Sequence, residues 1–254
     1  MPPAQNTIHL EINSPIARLT LARPAQHNAL SMVELSALQE ALLAIEGDKS
    51  LRAVILTGQG RSFCAGASLG DVADQDYTDN PFTALCDRLE GLALPVICAL
   101  NGGVYGGGVD LALACDFRIG VPEMKMFFPP ARLGIHYEAS GLSRTISRLG
   151  LQTAKRLLLR AEIYQGDELL KIGFLDEIVP ATDLMGRAER MASDIVALAP
   201  LAVQGMKQTL NELAAGNADR DTVRARILTC WSSDDLKEGL AASKEKRPPN
   251  FKGK

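Results

Sequence analysis

Along the first fifth of the chain the apolar positions follow a period of two. Ile8-His9-Leu10-Glu11-Ile12 alternates apolar with polar side chains, the pattern of a half-buried strand. Asn13-Ser14-Pro15 turns the chain, and Ile16 to Leu21 reads as the hairpin partner. Ser31, followed three residues later by Glu34, forms a capping box and predicts a helix ending near Gly47. Residues 52–57 carry a continuous apolar run closed by Gly58, as in a strand covered on both faces. Residues 95–100 and 116–120 predict two more strands of that kind, with Pro95 tolerated at a strand start. From Leu151 the spacing becomes helical, over 151–160, 167–171, 182–197, 199–214, 220–230 and 233–244, and only 177–179 breaks it with a strand-like run. The pattern predicts an α/β core over residues 1–190 and an all-helical region over 191–254.

Composition narrows the class. Of 254 residues, 46% are hydrophobic and only 5% aromatic, so the core must be built from Ala, Val, Leu and Ile. The net charge of −3 argues against a nucleic-acid surface, which is usually basic. No apolar run reaches the roughly 18 residues of a membrane span. Five cysteines without a C-x-x-C pair argue against a disulfide framework and a zinc site. With no basic-then-apolar leader at the N-terminus, the expected location is the cytoplasm.

Two turns stand out for chemistry. Ser62-Phe-Cys-Ala-Gly-Ala-Ser68 follows the strand at 52–57, and Asn101-Gly-Gly-Val-Tyr-Gly-Gly-Gly-Val-Asp110 follows the strand at 95–100. Small residues let a ligand approach the backbone. A glycine run that opens a helix leaves N–H groups free and aimed outward, and the helix dipole adds to their pull on negative charge. Two such N–H groups from two turns can cradle one developing oxyanion. Either turn alone reads as a tight turn of an α/β sheet. Neither has the lysine of a phosphate-binding loop nor the G-x-G-x-x-G spacing.

In order and spacing, Arg23-Pro24 with Asn28-Ala-Leu-Ser31, the Phe63-Cys-Ala-Gly-Ala67 turn and the segment Gly106-Gly-Gly-Val-Asp-Leu-Ala-Leu-Ala-Cys-Asp116 resemble the enoyl-CoA hydratase/isomerase (crotonase) family. Residues 245–253, EKRPPNFKG, resemble its C-terminal signature. The resemblance implies a crotonase-like spiral of ββα turns with a C-terminal helical region that builds homotrimers or hexamers. It implies an acyl-CoA thioester as substrate, with no metal and no cofactor beyond the coenzyme A that the substrate carries. It places the oxyanion N–H donors on Ala67 and Gly107. It lines the CoA site with Ala25, Ala65, Gly66, Ser68 and Leu69, where Ser68 replaces an Asp common in the family.

The carboxylates depart from the hydratases, which resemble one another in carrying two glutamates. Here the first position is Asp110, and the second falls on Pro130, which holds no proton. Four residues after Gly134 comes Glu138, where dienoyl-CoA isomerases of the family carry Asp; they also share the run G-G-G-V-D-L. Asp110 and Glu138 are therefore the expected catalytic pair, facing an apolar pocket of Phe127, Phe128 and Leu133. For Asp110 the plain alternative is a first-turn carboxylate that complements the helix dipole. For Glu138 it is an exposed residue near a helix start. Tyr137 is a candidate substrate contact, and His136 and Tyr137 both fit wall roles. With two working bases the product is a shifted double bond; with a held water it is a hydroxyacyl-CoA. A hydrolase or decarboxylase on the same scaffold, or a CoA-binding protein without chemistry, are the alternatives. The basic tail at 244–254 is expected on the surface, where it suits CoA phosphates.

Overall fold

The computed structural model describes residues 7–68, 70 and 80–254. The hairpin forms as an antiparallel pair of β1 (Ile8–Asn13) and β2 (Ile16–Leu21), with Ile8 opposite Leu21 and Asn13 opposite Ile16. Helix α1 (Met32–Gly47) begins at its N-cap Ser31, whose N–H donates to Glu34 Oε2 at 2.9 Å. Glu34 is buried and also accepts from Arg23 at 2.8 Å and from the Thr7 hydroxyl at 2.9 Å. The cap thereby fixes the segment between the hairpin and the helix as well.

Beyond α1 the strands come in pairs that go to different sheets. β3 (Ala53–Gly58) and β4 (Ser62–Cys64) are followed by α2 (Pro81–Gly91). β5 (Val96–Leu100) and β6 (Gly103–Tyr105) are followed by α3 (Gly107–Leu113). β7 (Phe117–Gly120) and β8 (Lys125–Phe127) are followed by α4 (Ala139–Arg160), which is kinked at Gly150. β9 (Ile163–Gln165), α5 (Asp167–Lys171) and β10 (Glu177–Ile178) complete the spiral. One sheet has six strands in the order β1-β2-β3-β5-β7-β10, and the other has four in the order β4-β6-β8-β9. β5 and β7 each lie parallel to the preceding strand of the larger sheet, and β6 and β8 to that of the smaller one, while β9 pairs antiparallel with β8. This is the ββα spiral that the resemblance implies. The core lies over the larger sheet, where Val54, Ile55, Leu56 and all of β5 are buried.

Helix α6 (Leu184–Val196) packs across β3 and β5, burying Leu184, Ala188 and Ala192. Alanines at i and i+4 let the helix approach the sheet closely. The boundary expected between residues 190 and 191 lies inside α6. Helices α7 (Pro200–Ala215), α8 (Arg220–Trp231) and α9 (Asp234–Glu245) follow. Asp116 Oδ2 accepts from the Val96 N–H at 2.7 Å and from Lys207 Nζ at 2.6 Å, which ties α7 to the sheet. Among the described residues no helix is long and apolar enough to cross a membrane.

Candidate active site

The parallel pairing of β4 with β6, Ser62 opposite Gly103 and Cys64 opposite Val104, sets the two small-residue turns side by side. Asn28 holds the first turn from beneath. Its buried Nδ2 donates to the carbonyls of Gln59, Ser62 and Phe63 at 3.0, 2.9 and 3.0 Å, and its Oδ1 accepts from the Arg23 N–H at 2.8 Å. Leu30 then bridges to Ala67: the Leu30 N–H donates to Gly66 O and the Ser68 N–H donates to Leu30 O, each at 2.8 Å. These bonds use the groups on either side of Ala67 and leave its own N–H outside the ladder. In the second turn Gly106, at φ 51°, caps α3, so Gly107 is the first helical residue and its N–H has no acceptor within the helix. Gly66, at φ 85°, lies so close to this turn that a Cβ there would collide with the Gly107 amide nitrogen. Only glycine permits that approach.

A cavity of about 350 Å³ opens against both turns. Ala65, Ala67, Gly106 and Gly107 form one side, and Leu30, Leu35 and Phe82 a second. Phe127, Phe128, Pro130, Leu133 and Tyr137 form a third, so the expected apolar pocket is present. The Phe82 ring stands over Gly107: a Cβ on that glycine would lie 2.7 Å from Phe82 Cζ. Tyr137 meets Phe128 edge-on, with ring centroids 4.9 Å apart and planes at 89°. Among the described lining residues the ionisable groups are the phenols of Tyr105 and Tyr137.

Neither expected carboxylate is on that described wall. Asp110 is fully buried behind Tyr137, whose hydroxyl donates to its Oδ2 at 3.1 Å. Its Oδ1 accepts from Nη1 of Arg144, a fully buried guanidinium. Arg144 also donates from Nη2 to Asp87 at 2.6 Å, and its Nε lies 3.1 Å from Glu90 Oε2 without the alignment of a hydrogen bond. Burial pushes the Asp110 carboxyl above its usual range, while Arg144 and the Tyr137 hydroxyl pull it back down. Burial, and then the charge of Asp110, push the Tyr137 phenol well above its usual range.

Glu138 is the N-cap residue of α4, half-buried and next to Tyr137, and its side chain has no hydrogen bond or ion pair among the described residues. His136 is exposed, its Nδ1 2.9 Å from Tyr137 O. Ser68 borders the first turn. Ala25 is exposed in a short turn of helix, Pro24–Gln26, and is not among the residues lining the cavity. Leu69 lies outside the described residues. Arg144 has no place in the sequence reading, although it lies on the buried face of α4 with Gly141 and Thr145. A lone arginine on an otherwise small or apolar helical stripe is the signal that marks it. Among the described residues, no group of three or more His, Cys, Asp or Glu side chains is placed to hold a metal ion.

The profile of the enoyl-CoA hydratase/isomerase family matches residues 11–254. A probable enoyl-CoA hydratase of Mycobacterium bovis is 35% identical over 239 residues, covering 94% of this chain and 96% of that protein. A short-chain-enoyl-CoA hydratase of Clostridium acetobutylicum is 35% identical over 95% of this chain and 96% of its own length. A crotonyl-CoA hydratase of Syntrophomonas wolfei is 33% identical over 98% of each chain. Among solved structures, an enoyl-CoA hydratase from Bacillus anthracis superposes with a TM-score of 0.88 at 31% identity, covering 98% of this chain and all of the other. With a profile match from residue 11 to the last residue, and relatives and folds that agree over the same span, this chain belongs to the enoyl-CoA hydratase/isomerase family.

Proposed function

We propose that the protein binds an unsaturated acyl-CoA with the thioester carbonyl between the N–H groups of Ala67 and Gly107, and hydrates the acyl chain or shifts its double bond. The observation that carries this reading is the close approach of the two turns at Gly66 and Gly107, on the wall of an apolar cavity. Dipoles fixed in such a cavity act on enolate charge with little screening and need no reorganisation as the charge forms. Glu138 moves the proton. It is the expected carboxylate without a partner among the described residues, and it adjoins the cavity residue Tyr137. The short-chain and crotonyl-CoA hydratases among the relatives favour a short acyl group. Self-association into trimers or hexamers belongs to the same reading, supported by the apolar outer faces of the C-terminal helices.

Crotonyl-CoA turnover and deuterium exchange into butyryl-CoA test the reading. Gly66→Ala drives a Cβ into the Gly107 amide and should cost about 10²-fold or more in both reactions, the usual loss when an oxyanion donor is displaced. Glu138→Gln should lose exchange while CoA affinity holds. Full turnover by the Gly66→Ala enzyme would remove the oxyanion pair from the mechanism. Unchanged exchange in Glu138→Gln would remove Glu138.

A further inference from the structure

Asp110 lies three residues after Gly107 in the first turn of α3, and residues three apart share a helix face. Asp110 therefore shares the Gly107 face of the helix. Both of its oxygens accept: Oδ1 from Arg144 and Oδ2 from the Tyr137 hydroxyl at 3.1 Å. A guanidinium only donates, so Arg144 fixes the direction of the whole chain of bonds. Asp87 and Glu90 hold Arg144 from its other side. With the Arg144 guanidinium donating to Oδ1, Tyr137 commits its single hydrogen to Oδ2. A phenol in that state has only lone pairs left to offer, and Tyr137 lines the cavity. Burial, and then the neighbouring Asp110, push this phenol well above its usual range.

We propose that Tyr137 is a specificity-determining residue whose oxygen accepts a hydrogen bond from a hydroxyl on the third carbon of the bound acyl chain, with Asp110 and Arg144 as positioning residues that set its polarity. Water added across a conjugated enoyl thioester puts a hydroxyl at that carbon, so this proposal rests on the acyl-CoA reading of the site. The chain of bonds makes the cavity selective for a donor and indifferent to an acceptor. One added hydrogen bond of this kind is worth about a fivefold gain in affinity.

Calorimetry with butyryl-CoA, 3-hydroxybutyryl-CoA and 3-methoxybutyryl-CoA tests it. The unmodified protein should bind the hydroxy ligand about fivefold more tightly than butyryl-CoA, and the methoxy ligand no more tightly than butyryl-CoA. Tyr137→Phe should erase the hydroxyl preference. Asp110→Asn reverses the chain: Arg144 donates to the amide oxygen, the amide nitrogen donates to the Tyr137 oxygen, and the phenolic hydrogen turns to the cavity. That variant should keep its affinity for the hydroxy ligand and gain about fivefold for the methoxy ligand, a gain that loosened packing would not produce. Equal binding of butyryl-CoA and 3-hydroxybutyryl-CoA by the unmodified protein overturns the proposal, and so does an Asp110→Asn protein with no methoxy gain. Either result leaves the acyl-CoA reading standing. Failure of the unmodified protein to bind any of the three ligands overturns both.

Discussion

A thiol reacts as its thiolate, so burial protects a cysteine twice, by access and by proton affinity. Cys64, Cys86, Cys98 and Cys115 are buried, and Cys230 at the end of α8 is half-exposed. Burial pushes the Cys64 thiol up to about 12 and those of Cys86 and Cys98 well above their usual range. The native protein should therefore react with a disulfide reagent such as DTNB at no more than one thiol per chain, and at all five only in denaturant. Reaction of a second native thiol at pH 8 would show that the core opens around it. Single residues differ in how openly the sequence declares such surroundings. Small residues in the turns at 65–67 and 106–108 point to a close backbone approach, and the structure has one there. The sequence does not single out Arg144, because its burial is decided by Asp87, Glu90 and Asp110, none of them close in sequence. The same distance hides the state of Asp110. A carboxylate in a first helical turn looks free until Tyr137, 27 residues away, and Arg144 close over it.

Most elements long enough to show a period are legible, though α2 and the first half of α4, residues 139–149, have no counterpart in the sequence reading. The hairpin, α1, the strands of the larger sheet and the helices after Leu151 stand close to the limits that the pattern predicts. The four-stranded sheet has no counterpart in the sequence reading, because β4, β6, β8 and β9 are three residues each and a period of two needs more. Helix α2 has no counterpart in the sequence reading either; in the structure Asn80 Oδ1 accepts from the N–H groups of Phe82 and Thr83 at 3.1 and 3.2 Å, ahead of Pro81 at the first position. The basic tail is on the surface as expected but is docked there. Arg247 bonds Glu238 and Glu245, the Asn250 N–H donates to Glu238 at 2.8 Å, and the Lys252 and Gly253 N–H groups donate to Asp235 at 2.6 and 2.8 Å. The bonds from Arg247 and Asn250 hold the Glu238 carboxyl down from 4.5 to about 2. A depressed carboxylate stabilises the docked tail above its free value and loses that contribution as pH falls through its bound value. Protection of the Asn250 amide from exchange should therefore be full above pH 4.5 and fade toward about pH 2. Glu238→Gln should show that loss already at neutral pH. Equal protection in the variant would mean that Asp235 alone docks the tail.

At the scale of the whole molecule, the larger sheet buries its strands and α6 covers it, but the C-terminal helices do not close on themselves. Helix α8 runs for twelve residues without one that is buried. Ile227 and Trp231 lie on one stripe of α8, and Trp231 is 73% exposed. Met206, Leu210 and Leu213 form a second exposed stripe on α7, and Leu240 of α9 is exposed as well. Apolar side chains exposed on all three helices support the proposed self-association. Apolar spacing in the sequence shows that these helices are amphipathic, but it does not say whether the apolar side meets the chain's own core or another copy. In the structure Ala188 and Ala192 of α6 are buried, and the stripes of α7 and α8 are exposed. Burying such side chains contributes about 1.5–3 kcal/mol each where they become fully covered. Association through three or more copies of this face should thus persist at micromolar concentration. Sedimentation velocity should give a trimer or hexamer for the unmodified chain. Placing charges in the stripes, as in Leu210→Glu with Trp231→Glu, should give a folded monomer, since neither position contributes to the core. A monomer for the unmodified chain, or an unchanged assembly for the double variant, would mean that these helices are covered by something other than copies of themselves.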